Sequence, residues 1–72
     1  MNSSEFDVLQ LRVVEYLRKR GPTVSERLAA ELAVSHGDVR FALEQLHQSK
    51  KPLVTSLAFG FWDSTDENSV AA

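Results

Sequence analysis

The sequence predicts a single, mainly α-helical domain of three helices that ends in a short β-hairpin. Apolar residues recur at helical spacing in three segments between residues 5 and 49. Each segment opens near a match to the capping pattern [ST]-x-x-[DE], at Ser4–Asp7, Thr23–Glu26 and Ser35–Asp38. After Pro52 the chain becomes rich in β-branched and aromatic residues, which is typical of strands. The predicted order is therefore helix, helix, helix, hairpin.

The first helix is predicted to run from about Glu5 to Arg20. Gly21 and Pro22 end it, because glycine adopts the left-handed conformation easily and proline cannot continue a helix. The stripe expected to face the core consists of Phe6, Leu9, Val13, Tyr16 and Leu17.

Three further apolar residues of this helix lie off that stripe: Val8, Leu11 and Val14. Contiguous exposed apolar groups mark interfaces between protein chains. The sequence therefore predicts a homodimer that forms through these three residues.

The second helix is predicted over residues 24–32 and the third over residues 36–49, with residues 33–35 as the turn between them. Pro52 limits the third helix, because the residue before a proline is disfavoured in the α conformation. The expected buried residues are Val24, Leu28, Ala29 and Leu32 on the second helix, and Val39, Ala42, Leu43 and Leu46 on the third.

The hairpin is predicted from residues 53–57 and 61–62, with residues 58–60 as its turn. An isolated hairpin is marginal in water, so we expect it to pack on the helices. The candidates for that contact are Leu53, Leu57, Phe61 and Trp62. Phe59, Phe61 and Trp62 also fit a stacking surface, an alternative that the sequence leaves open. Residues 63–72 are acidic and lack periodicity, so a disordered tail is expected after a domain of residues 1–62.

Composition excludes several classes of function. The 72 residues contain no cysteine, which excludes disulfides and thiolate metal sites, and His36 and His47 have no clustered carboxylates around them. No glycine-rich phosphate loop or catalytic triad spacing is evident, so we expect neither an enzyme nor a cofactor. No stretch is apolar enough to span a bilayer, and the N-terminus does not resemble a secretion signal. A cytoplasmic protein is therefore expected.

The charge is distributed unevenly along the chain. The formal net charge is −2, yet residues 8–62 hold all eight Lys and Arg against five Asp and Glu, which gives this segment +3. A mildly basic body with acidic ends is compatible with binding to DNA, although it does not require it.

The stretch Arg27–Leu43 resembles the helix-turn-helix of bacterial winged-helix transcription regulators, whose pattern is L-A-x-x-L-x-V-S-x-x-x-V-R-x-x-L. The resemblance extends over residues 6–62, with the hairpin in the place of the wing. Ala29 takes the small position where the two helices cross. Ala33 departs from the pattern, because glycine is common there in these regulators.

The resemblance implies a small transcriptional regulator, of bacterial or phage type, that binds double-stranded DNA. The third helix would enter the major groove, where Arg40 can donate two hydrogen bonds to guanine O6 and N7. The start of the second helix and the wing would contact the backbone. The residues so implied are Ser25, Arg27, Ser35, His36, Gly37, Arg40, Phe41, Glu44, Lys50, Lys51, Thr55 and Ser56.

Two alternatives remain open from the sequence. Arg40 and Glu44 are spaced i, i+4, so a surface ion pair accounts for them as well as base contacts do. Winged-helix domains also serve as protein-interaction modules without direct DNA binding. The weak positive balance, the surplus apolar residues, and the acidic Asp38 and Glu44 on the third helix favour that second class.

Overall fold

The computed structural model describes residues 2–65, which form three α-helices and a small antiparallel sheet. The elements in chain order are α1 (Ser3–Arg20), β1 (Thr23–Val24), α2 (Ser25–Leu32), α3 (His36–Gln48), β2 (Val54–Ser56) and β3 (Phe61–Ser64), with a tight turn (Ala58–Gly60) between the last two strands. The predicted mainly α fold with a C-terminal hairpin is confirmed. The sequence does not predict β1, which extends the hairpin to a three-stranded sheet.

α1 begins earlier than predicted because the residue before it supplies the cap. Asn2 Oδ1 accepts a hydrogen bond from the N–H of Glu5 at 2.9 Å. Ser4 lies within the first turn, so the capping box expected there is wrong. The end of the helix is as predicted: Gly21 has a φ of 82°, and its N–H donates to the carbonyl of Leu17 at 2.8 Å.

The second predicted capping box is also wrong, because strand pairing takes its first residue. Thr23 lies in β1 opposite Trp62, and its hydroxyl donates to the carbonyl of Gly21 at 3.0 Å. The N-cap of α2 is Val24, whose side chain offers no acceptor. α2 therefore begins at Ser25, one residue later than predicted.

α2 ends in a left-handed residue that is not glycine. Ala33 has φ 57° and ψ 44°. Its N–H donates to the carbonyl of Ala30 at 3.3 Å, and the N–H of Val34 donates to the carbonyl of Ala29 at 3.1 Å. These two bonds form a Schellman motif, which usually has glycine at this position because Cβ is crowded in the left-handed region.

Replacing Ala33 by glycine is expected to stabilise the domain. Removing the left-handed strain gains about 1–2 kcal/mol, and the flexibility of glycine in the unfolded chain takes back about 0.5–1 kcal/mol. The net gain should raise the Tm in a circular dichroism melt by several degrees. Ala30→Gly, a matched change inside α2, should lower the Tm instead. An Ala33→Gly variant that melts at or below the parent temperature would contradict the expectation.

α3 begins at the predicted residue and buries the predicted face. Ser35 is its N-cap, and Oγ accepts a hydrogen bond from the N–H of Asp38 at 3.2 Å. The helix ends at Gln48, one residue before the predicted end. The four residues expected to face the core are all buried: Val39, Ala42, Leu43 and Leu46.

The strands pair in the order β1-β3-β2, and both pairs are antiparallel. On one side of β3, Phe61 lies opposite Val24, and on the other side Trp62 lies opposite Ser56. The central strand therefore joins the segment before α2 to the hairpin after α3. This pairing holds the hairpin against the helices at two separate points of the chain.

One core lies between the three helices and β2. Its buried apolar residues are Leu9, Val13, Val14, Leu17, Leu28, Ala29, Leu32, Val39, Ala42, Leu43, Leu46 and Val54. Phe6, Tyr16, Val34 and Trp62 pack against it while keeping part of their surface in solvent. Outside the core, the Arg12 guanidinium donates to the carbonyl of Leu32 at 3.0 Å, which links α1 to the end of α2.

The hairpin packs on the helical core through Val54, a residue that the sequence pattern did not indicate for this contact. Val54 is fully buried, whereas Leu53, Leu57 and Phe61 each keep about two fifths of their surface exposed. Side chains alternate along a strand, so directing Val54 into the core turns its neighbour Leu53 outward. Trp62 is half-buried against the core, as the packing interpretation predicts.

The prediction that Val14 forms part of a dimer interface is wrong. That residue is only 5% exposed and lies beside Leu46 and Leu53, because the chain after α3 covers this side of α1. Val8 and Leu11 are 54% and 63% exposed, respectively. The apolar surface that α1 offers to a partner is therefore smaller than predicted.

The ordered domain extends past the predicted boundary at residue 62. Asp63 and Ser64 belong to β3, and the N–H of Thr65 donates to the carbonyl of Leu53 at 3.1 Å. The sequence places the end of the domain too early, because backbone pairing holds these polar residues in place. Hydropathy does not reveal such pairing. The rest of the predicted disordered tail, residues 66–72, lies outside the described residues.

Candidate nucleic-acid interface

A turn of three residues joins α2 to α3, and each of its residues has a defined role. Ala33 closes α2 in the left-handed conformation, Val34 packs against the core, and Ser35 caps α3. The Ser35 hydroxyl is engaged in this cap, so its first role is structural although the residue is exposed. The turn therefore has little conformational freedom, and α3 is held in a definite orientation on α2.

The N-termini of α2 and α3 lie next to each other. Ser25, the first residue of α2, and His36, the first residue of α3, share a hydrogen bond of 2.7 Å between Oγ and Nε2. Both residues are expected at the DNA surface, and the structure brings them into contact. Helix N-termini carry partial positive charge and unpaired N–H groups, which favour a negatively charged partner, but Glu26 and Asp38 in the first turns of the two helices offset part of that charge.

The side of α3 that points away from the core is open to solvent. His36, Gly37, Arg40 and Glu44 are exposed, as predicted. Among residues 2–65, no ion pair joins Arg40 to Glu44, so the alternative structural explanation for Arg40 is not supported. One cation and one anion leave this face nearly neutral, which limits its attraction for phosphates.

Phe41 lies at the edge of this face and has a partner within the chain. Its ring is 5.1 Å from the ring of Phe6 between centroids, at an interplanar angle of 39°. The contact places Phe41 against the first turns of α1, with 54% of its surface still exposed. Packing between α3 and α1 therefore accounts for Phe41 at least as well as a contact with DNA does.

Arg27 is exposed on α2 but is not an isolated charge. Its Nε donates to Glu31 Oε1 at 3.2 Å, one helical turn further along. Exposed pairs of this kind stabilise a protein by about 0–1 kcal/mol, so a phosphate could replace Glu31 at little cost. The pair nevertheless reduces the positive charge that Arg27 contributes to the surface.

The basic residues of the hairpin lie at its base and not at its tip. Lys50 and Lys51 are exposed in the loop after α3, about 20 Å along the helix from His36, given its rise of about 1.5 Å per residue. On β2, Thr55 is half-buried and Ser56 is exposed. Lys50 and Lys51 therefore form a second group, away from the contact between Ser25 and His36, whereas Ser56 lies opposite Trp62 near the turn of the hairpin.

His47 has a role that the sequence did not indicate. Its Nδ1–H donates to the carbonyl of Val54 at 3.2 Å, and its ring meets the edge of the Trp62 ring at a centroid distance of 5.8 Å. β2 is an edge strand, and side chains that cover an edge discourage pairing with other chains. His47 thus fastens the hairpin to α3 and covers part of its open edge.

A shallow groove beside the tip of the hairpin was also missed. Arg20, Arg27 and Phe61 line it together with the chain segment at residues 22–24. The groove includes Val24, the residue before Ser25, so it adjoins the start of α2. A local pattern does not reveal it, because its residues come from α1, α2 and β3.

Within residues 2–65, no group of three or more His, Cys, Asp or Glu side chains is arranged to hold a metal ion. In the same range, none of the helices combines the length and apolarity needed to cross a membrane. Comparison with known proteins yields no matching family model, no similar curated protein and no similar solved structure.

Proposed function

We propose that this chain is a winged helix-turn-helix domain that binds duplex DNA and regulates transcription. The observation that carries the proposal is the continuous surface made by the start of α2, the open face of α3 and the tip of the hairpin. Ser25 contacts His36, and Val24, which precedes Ser25, pairs with Phe61 beside the tip. The element order and the order of the strands also suit a wing that follows a helix-turn-helix.

In the proposed complex, α3 enters the major groove with its first half toward the bases. Arg40 is exposed and has no ion-pair partner within residues 2–65, so its guanidinium is available to donate to guanine O6 and N7. Gly37 has no side chain and allows a close approach of the helix backbone. Glu44, further along the same face, can accept a hydrogen bond from a cytosine amino group.

Phosphate contacts come from two places in this proposal. The N-terminus of α2, with Ser25 and Arg27, meets one strand through its N–H groups and dipole. Lys50 and Lys51 meet the backbone near the base of the hairpin. Such contacts position the protein without reading sequence. With three cations among them, Arg27, Lys50 and Lys51, the affinity should depend on salt with a slope of roughly −2.7 in a log–log plot.

The experiment that tests this function is selection of bound duplexes from a random pool, followed by affinity measurements on the enriched sequence. Enrichment of one motif is expected. Its affinity should fall by roughly 40-fold between about 50 and 200 mM salt, as that slope requires. A pool that remains random at low salt would contradict the proposal.

A protein-interaction module is the second candidate, and one observation favours it. The open face of α3 is almost neutral, while Leu57, Phe59 and Phe61 expose apolar surface at the hairpin. In that case binding to a partner would rest on apolar contacts and would change little with salt. The salt series therefore distinguishes the two candidates.

We also propose a homodimer, now through Val8 and Leu11 alone. Both lie on the outer side of α1 and are more than half exposed. Glu5 and Asp7 lie in the first half of the helix, and residues 18–20 at its end are basic. Two copies of α1 packed antiparallel about these two residues would cover the apolar pair, with the basic end of each helix extending past the acidic first turn of the other.

Replacing Leu11 by aspartate is expected to prevent this association. The parent protein should sediment at twice its 8.0 kDa mass at high micromolar concentration, and the variant at 8.0 kDa. Leu57→Asp, a change at a similarly exposed leucine of the hairpin, should leave the dimer intact. A parent protein that sediments as a monomer would contradict the proposed interface.

A further inference from the structure

The turn of the hairpin presents an aromatic ring to solvent on a constrained backbone. Phe59 is 94% exposed and has a φ of 62°, and Gly60 has a φ of 78°. The N–H of Phe61 donates to the carbonyl of Ala58, and the N–H of Leu57 donates to the carbonyl of Phe61 at 2.7 Å. Positive φ at both central residues is characteristic of a type I′ turn, which suits the twist of a hairpin.

Phenylalanine is unfavourable at this position in two independent ways. The left-handed conformation strains a bulky side chain, and type I′ turns prefer Asn-Gly for this reason. The ring also remains in water, so it contributes almost no burial to the fold. A strained and exposed residue is a reason to look for function, because neither property helps the domain to fold.

The surroundings of the ring favour a nucleic-acid partner. No residue from 52 to 62 carries a charge, so nothing in the hairpin tip repels phosphates. Arg20 and Arg27 line the groove beside Phe61, on the tip's side of the sheet. An uncharged tip with guanidinium groups on the β1 side of its base fits a duplex, whose apolar base stack is bordered by phosphates.

We propose that Phe59 is a wedge that enters the minor groove of duplex DNA and separates two stacked base pairs. Apolar side chains that insert in this way kink the duplex and bring more of it against the protein. The inference rests on the proposed DNA-binding function, and it adds a bend in the DNA that the contacts of α3 do not require. The short turn suits this role because its positive-φ backbone and hydrogen bonds hold the ring at the end of the hairpin.

The test compares the parent protein with Phe59→Gly on a selected duplex that carries a fluorophore at each end. The parent should shorten the distance between the fluorophores, and 2-aminopurine at the wedged step should brighten as it unstacks. Phe59→Gly should abolish both signals. It should also weaken binding by roughly 5- to 150-fold, the range expected for one aromatic–base stacking contact.

Two substitutions of Phe59 also serve as controls for folding. Phe59→Gly and Phe59→Asn both suit the left-handed backbone, so both should melt at or above the parent temperature. Loss of affinity together with higher stability cannot come from unfolding. Phe59→Trp keeps an aromatic ring and should retain the bend.

The results of this experiment test the proposed wedge and the proposed DNA-binding function separately. A parent protein that binds no duplex overturns both proposals. A Phe59→Gly variant that binds and bends DNA as the parent does overturns the wedge alone. If the variant changes the sedimentation of the protein and not the bend, the ring contacts a second copy of the chain, and the wedge is again overturned.

Discussion

Replacing Leu28 by alanine should remove roughly half of the free energy of unfolding of the domain. Leu28 lies on α2 and is fully buried in the shared core. Deleting its buried methyl groups costs about 2–5 kcal/mol, the range found for leucine in well-packed cores. A domain of this length has about 4–11 kcal/mol in total, at the usual stability per residue. Urea denaturation followed by circular dichroism measures the loss directly.

Leu11→Ala is the matched control, because it removes the same atoms from a leucine that is 63% exposed. Surface substitutions of this kind change stability by less than about 0.5 kcal/mol. The measurement should be made at low protein concentration, since association through α1 would add stability to the parent. Similar losses in the two variants would show that α2 does not pack as described.

Replacing Arg40 by alanine should produce the largest change in DNA recognition. A guanidinium that donates to guanine O6 and N7 contributes about 1–3 kcal/mol of discrimination, or roughly 5- to 150-fold in affinity. The loss should be confined to the selected motif and should relax its preference at one base pair. Titrations of the selected duplex and of an unrelated one, at the same salt concentration, measure this difference.

Arg40→Lys separates base reading from charge. Lysine keeps the positive charge but lacks the planar pair of donors, so it should lose much of the discrimination and little of the binding to unrelated DNA. Equal weakening of Arg40→Ala on both duplexes would reassign Arg40 to a phosphate contact. No effect on either duplex would exclude α3 from the interface.

Local patterns predicted α3 better than any other element, and for a clear reason. Its cap at Ser35, its start at His36 and its buried stripe all depend on residues within four positions of each other. The termination of α1 at Gly21 has the same local origin. Such features need no information from the rest of the chain.

The capping boxes predicted at Ser4 and Thr23 do not form, because another residue caps α1 and because Thr23 pairs with a distant strand. Asn2 offers an acceptor two residues before the predicted site, and it takes the role of cap. Thr23 pairs with Trp62 across thirty-nine positions of the chain. A pattern match shows that a cap is available, and competition decides whether it is used.

The candidate interface also contains some features that local sequence patterns predict and others that depend on tertiary packing. The exposure of Arg40 and Gly37 follows from the period of α3, and the sequence located both. The contact between Ser25 and His36 depends on how α2 and α3 pack, and the groove at Arg20 depends on three elements meeting. Phe41 was assigned to the open face because its partner, Phe6, lies on another helix.

The sequence by itself determined three helices, the turn that joins the last two, and a hairpin after Pro52. Those features follow from short-range periodicity, caps and chain breakers. Only the tertiary structure decided that β1 completes the sheet, that Val54 and Val14 are buried, and that Phe59 remains in water. The reason is that burial and strand pairing depend on residues distant in the chain, whose positions no local pattern contains.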